Sequence, residues 1–158
     1  MKLKLYFYGI FIIFINFFYR NHVISNAWGY ALKSTEVAEI LESVGFPPGI
    51  VPSMTCISKH ESSFRPHIEN FNKNGTIDYG LMQVNTIWLA RCNATEQSIM
   101  DVYTNAKCAY LVYQIQGVTA WVTFNKFRSE CLSYKIPNYS SVEAAESYVT
   151  IVKNDIVL

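Results

Sequence analysis

The sequence predicts an α+β fold, mainly helical and interrupted by one small antiparallel sheet. Two well-separated stretches carry apolar residues at helical spacing, and a hairpin turn signal lies between them. No strand–helix alternation of the kind that builds a parallel sheet is present. In chain order, Val37, Ala38, Leu41 and Val44 recur at helical spacing over residues 34–44 with Glu36, Glu39 and Glu42 opposite, and Gly45 followed by Pro47 and Pro48 stops the run. Pro52 stands where a helix can begin, and Met54, Cys56, Ile57, Lys59 and His60 carry a short, mostly buried helix toward Glu61. After Pro66 the segments shorten. Asn72-Lys73-Asn74-Gly75-Thr76 is a turn signal, and Asn74-Gly75 favours a type I′ hairpin turn. Helical periodicity returns over residues 104–116, breaks at Gly117 and resumes through Ala120, Trp121, Phe124 and Phe127; residues 141–152 form one further amphipathic stretch.

A chain of 158 residues holds one domain with a real core. Its 51% hydrophobic and 16% charged content argues against a disordered or highly charged scaffold. The 13 basic and 12 acidic residues are spread along the chain, so there is no basic cluster for a nucleic-acid partner, and that class is excluded. Lys2 and Lys4 precede an apolar run from Leu5 to Phe18, and Ser25-Asn26-Ala27 supplies small residues before a cut between Ala27 and Trp28, the pattern of a secretory signal over residues 1–27. An uncleaved anchor is the competing reading, but the run stops short of the roughly 20 residues a spanning helix needs. The expectation is a secreted, extracellular, monomeric protein without a stable membrane span, its mature part carrying 10 basic and 12 acidic residues. That charge argues against lysis by plain adhesion to anionic envelopes. The sequons at Asn74, Asn93 and Asn138 are glycosylation acceptors if the export reading holds in a eukaryote.

Four cysteines remain after signal removal: Cys56, Cys92, Cys108 and Cys131. In an exported domain an even count points to two disulfides, and three connectivities are open. Their spacings contain no Cys-x-x-Cys knuckle, and His22, His60 and His67 complete no closely spaced ligand set with them, so no structural zinc is expected. Two carboxylates have distinctive settings. Glu61 ends the apolar Cys56–His60 stretch, and Asp78 follows the hairpin turn. Such a pair can flank a cleft, one acid desolvated and the other kept ionised by polar neighbours. Spacing alone leaves the simpler alternative open, a solvated helix-end acid and a turn residue.

Read as a whole, Cys56-Ile57-Ser58-Lys59-His60-Glu61-Ser62-Ser63-Phe64, then Asn70-Phe71-Asn72 and Asp78-Tyr79-Gly80-Leu81-Met82-Gln83-Val84-Asn85 through Trp88, resembles the core of the animal C-type lysozyme and alpha-lactalbumin family, especially its insect members. The likeness resumes at Asn105-Ala106-Lys107-Cys108-Ala109 and Ala120-Trp121-Val122, and covers most of residues 35–131. The resemblance implies a helical lobe and a small sheet lobe flanking a polysaccharide cleft, with peptidoglycan or chitin-type oligosaccharide as substrate and no cofactor. Glu61 matches the family's general acid and Asp78 its nucleophile or charge stabiliser. Asn70, Asn72, Gln83 and Asn85 match residues at or near the cleft, Trp88 a sugar-stacking residue, and Trp121 the indole near the acid. It also implies a Cys56–Cys131 bridge, and leaves Cys92 and Cys108, whose family partners are absent, to pair with each other.

The chain departs from that family in having four cysteines instead of eight, Leu89 where many relatives carry a second cleft tryptophan, and a tail from about residue 132 without an obvious counterpart. The Glu61-Ser62-Ser63-Phe64 and Gly80-Leu81-Met82-Gln83 strings also resemble lytic transglycosylases, which work through one glutamate; the second carboxylate, Asp78, favours hydrolysis. A non-catalytic glycan- or protein-binding relative is the third reading, disfavoured because both acid positions are filled. Asp101 is the sole acid around residues 101–110, too little for a calcium loop, so no metal is expected.

Overall fold

A computed structural model describes residues 31–139. The expected signal over 1–27, the cut after Ala27 and the amphipathic stretch 141–152 lie outside the described residues. Helix α1 (Ser34–Ser43) starts with the Glu36 carboxylate accepting the Lys33 backbone N–H at 2.7 Å. It buries Val37, Ala38, Ile40 and Leu41. Its end is a Schellman motif: Gly45, at φ +107°, donates to the Glu42 carbonyl and Phe46 to that of Leu41.

Helix α2 (Val51–Ser62) runs through the middle of the helical lobe, with Pro52 in its first turn. It is buried on nearly every side, so its apolar residues Val51, Met54, Cys56 and Ile57 alternate with buried hydroxyls. Each hydroxyl has an acceptor: Ser53 bonds the Cys131 carbonyl, Thr55 that of Val51, Ser58 that of Leu81 and Ser62 that of Ser58. Small hydroxyls that return to backbone carbonyls let a helix be enclosed without unsatisfied donors.

Strands β1 (Glu69–Phe71), β2 (Ile77–Tyr79) and β3 (Val84–Asn85) form an antiparallel sheet in that order, with β2 central. Asn70 faces Asp78 across one ladder and Asp78 faces Asn85 across the other. Directly opposed residues share a sheet face, so the register itself collects these three polar side chains. The β1–β2 turn is not the expected type I′, which requires positive φ at both central residues. Gly75 alone has positive φ, +83°, and the Gly75 N–H donates to the Asn72 carbonyl. The reason is an Asx turn: the Asn74 side-chain oxygen accepts both the N–H and the hydroxyl of Thr76 and holds Asn74 out of the left-handed region.

Helix α3 (Val102–Gln116) is capped by Asp101, which accepts the Thr104 N–H at 2.9 Å, and stops at Gly117. The periodicity after Gly117 resolves into a 3₁₀ turn and two short helices, α4 (Val122–Lys126) and α5 (Arg128–Leu132). Disulfides join Cys56 on α2 to Cys131 on α5, and Cys92 to Cys108 on α3. Beyond Cys131 the chain first packs back on the lobe, with Ile136 buried and the Tyr139 hydroxyl bonded to Glu42. This α+β architecture fits the sequence expectation, and among the described residues no helix is long and apolar enough to cross a membrane.

Candidate active site

The loop from Gly80 to Gln83 connects β2 to β3, and four side chains hold it, three of them from the helical lobe. Fully buried Asn105 of α3 accepts the Met82 N–H at 2.8 Å and donates to the carbonyls of Tyr79 and Ile99. The Trp121 indole N–H donates to the Met82 carbonyl at 2.8 Å, and Ser58 reaches that of Leu81. The Gln83 amide donates to the carbonyls of Gly80 and Ile68 and accepts from Asn70 at 2.7 Å. Gly80, at φ +70°, has no room for a side chain: a Cβ would lie 2.6 Å from Asn105 Nδ2 and 3.1 Å from the Pro66 carbonyl.

Beside this loop opens a pocket of about 330 Å³ between the lobes. Glu61, from the last turn of α2, and Asp78, from the central strand, both line it. The two carboxyls have different surroundings. Burial pushes the Glu61 carboxyl above the ordinary carboxylate range; the Thr123 hydroxyl, bonded to its Oε1, works against this, and the charge of Asp78 adds to the rise. Asp78 takes one amide donor on each oxygen, Asn85 Nδ2 at 2.6 Å on Oδ1 and Asn72 Nδ2 at 2.8 Å on Oδ2, a pattern suited to an acceptor-only carboxylate. Both amides also donate to the Thr76 hydroxyl, which closes the network.

Of the residues singled out in the sequence, Glu61, Asp78, Gln83, Asn85, Trp88 and Trp121 line the pocket. Asn70 and Asn72 do not, and each instead acts on a lining residue, Asn70 on Gln83 and Asn72 on Asp78. Trp88 reaches the pocket with 9% of its surface exposed, so most of its indole is wall, and the Arg91 guanidinium lies 5.6 Å from its ring centroid. Asn85 also caps the 3₁₀ turn Thr86–Trp88 by accepting the Ile87 N–H, which fixes Trp88 relative to Asp78. Sequence reasoning missed Thr123, Gln116, Val112, Val84, Ala120 and Val122. Ala120 and Val122 lie within the recognised Ala120-Trp121-Val122 string and Thr123 directly follows it, which is the one signal that pointed to them. Cys56, His60 and Cys131 converge, but both thiols are consumed by the disulfide, so they offer no metal ligand set in this state.

A protein-family profile described as "Lysozyme like domain" matches residues 38–123. The chain is 30% identical to lysozyme c-1 of Anopheles gambiae over 115 residues, covering 67% of this chain and 80% of that protein. It is 32% identical to lysozyme P of Drosophila melanogaster over 103 residues, or 56% of this chain and 72% of the relative. It is 26% identical to lysozyme C of Bos taurus over 127 residues, 70% and 84% of the two chains. Among solved structures, a lysozyme from Litopenaeus vannamei superposes with a TM-score of 0.57 at 24% identity, covering 70% of this chain and 95% of that one, a likeness of fold.

Proposed function

This chain belongs to the C-type lysozyme family, and from that premise we propose that it hydrolyses the β-1,4 bond between N-acetylmuramic acid and N-acetylglucosamine in peptidoglycan, with chitin-type oligomers as weaker substrates. The observation that carries the reading is the pair of unlike carboxyls in one pocket, Glu61 raised by burial and Asp78 held by two amides. Breaking a glycosidic bond needs a proton for the leaving oxygen and a negative group for the oxocarbenium-like carbon. Protonated Glu61 gives its proton to the bridging oxygen as the C1–O bond breaks. Asp78, oriented by Asn72 and Asn85, stabilises or captures C1. Glu61, now a carboxylate, takes a proton from water as that water adds to C1 and frees Asp78, which returns both groups to their starting states. The same reading has the mature protein begin near Trp28 and work outside the cell as a monomer.

Product analysis of digested peptidoglycan tests this. Wild type should release reducing muramic ends, Glu61→Gln should bind glycan while losing about 10²- to 10⁴-fold in turnover, and Asp78→Asn should lose much of it. Anhydromuramic ends would instead indicate a transglycosylase, and unchanged cleavage by Glu61→Gln would remove the acid assignment. Glycan or protein binding by oxidised wild type without cleavage would favour a binding role.

A further inference from the structure

We propose that Thr123 is a positioning residue for the acid: by donating its hydroxyl to Glu61 Oε1 it fixes the carboxyl and leaves Oε2 as the oxygen that carries the transferable proton. The inference rests on the glycosidase reading and adds an atom-level assignment to it. Glu61 lies at the end of α2 and Thr123 on α4, 62 residues apart, yet both line the pocket and share a hydrogen bond. The terminal torsion of a glutamate is broad, so an unanchored carboxyl presents either oxygen to the cleft. A hydroxyl has one hydrogen to give. Once that hydrogen points at Oε1, this oxygen is the acceptor and the acid's own proton resides on the other. Among the described residues no hydrogen bond occupies Oε2.

The surroundings isolate this contact. Among the described residues, Asp78 is the one other titratable group lining the pocket. On the elements packed against α2, Glu130 of α5 is taken by Lys59 at 2.9 Å and His60 at 3.1 Å, Lys126 of α4 lies over the Phe127 ring, and Glu42 of α1 accepts the Tyr139 hydroxyl. Thr123 is therefore the polar group that works against the effect of burial on Glu61. Losing it should both free the carboxyl and let its pKa rise further.

The test compares Thr123→Val, near-isosteric but without the hydroxyl, with Thr123→Ser, which keeps it, on peptidoglycan from acid to alkaline pH, with Glu61→Gln alongside. Expected for Thr123→Val is about a tenfold fall in kcat with little change in KM, and an alkaline limb of kcat/KM moved upward by about one unit, since less of the acid is then ionised. Thr123→Ser should restore both. The Glu61 carboxyl carbon, followed by NMR, should titrate higher in Thr123→Val than in wild type. A wild-type limb in Thr123→Val, a loss confined to KM, or an equal loss in Thr123→Ser would overturn the proposal. If Glu61→Gln is inactive and Thr123→Val unchanged, only the role of Thr123 fails; if Glu61→Gln keeps wild-type turnover, the glycosidase reading fails with it.

Discussion

Glu61 sits where its charged form is poorly solvated, which makes it a stability liability as well as a proposed acid. Its folded pKa lies above its unfolded value, so below both the residue is protonated in either state and exerts no pull. As pH rises past the unfolded value, the unfolded chain releases its proton first, and stability is lost until pH passes the folded value. Glu61→Gln removes that loss while keeping an oxygen to accept the Thr123 hydroxyl. The variant should melt at nearly the wild-type temperature in acid and a few degrees above it at neutral pH, as read by calorimetry at both. Glu61 and Asp78 were legible because the strings around them are distinctive. Thr123 was not, because a threonine after Ala-Trp-Val carries no mark of a partner 62 positions away. The asparagines were half legible: their neighbourhood could be read, but which amide lines the pocket and which holds a neighbour is decided by the geometry of the hairpin and the sheet.

Helices α1 and α3 could be read from periodicity because each has a wet face. Helix α2 could not be read that way, since enclosure on nearly all sides erases the contrast between faces, and Pro52 was the better signal. The hairpin misled for a local reason: Asn74-Gly75 looks like a two-residue turn until the Asx bond to Thr76 is known. The loop from Gly80 to Gln83 is the element most exposed to a single change. Gly80→Ala adds a left-handed side chain and drives its Cβ into Asn105. We expect a loss of about 2–4 kcal/mol in chemical denaturation. A loss below about 1 kcal/mol would show that Asn105 and the Pro66 carbonyl yield easily.

Over the whole chain, the two disulfides have different work. Cys56–Cys131, with a sequence separation of 75, closes the helical lobe, whereas Cys92–Cys108, with a separation of 16, ties the segment after Trp88 to the helix that carries Val112 and Gln116 into the pocket. Chain-entropy arguments assign about 3 kcal/mol to the shorter loop and more to the longer. Replacing Cys92 and Cys108 together by serine should therefore lower stability less than replacing Cys56 and Cys131, but should raise KM for glycan several-fold by loosening the Trp88 wall; paired melting and kinetic measurements decide it. The interlock of Gly80 with Asn105 also constrains how such a sequence can diverge. A lineage that shortens residue 105 first loses the tie to Tyr79 and Ile99 but gains space, after which a side chain at 80 meets less resistance; the reverse order passes through an intermediate that carries the full clash. The two positions are thus epistatic: the clash met by a side chain at 80 depends on the length of residue 105, while the Pro66 carbonyl and the positive φ weigh against it in either order.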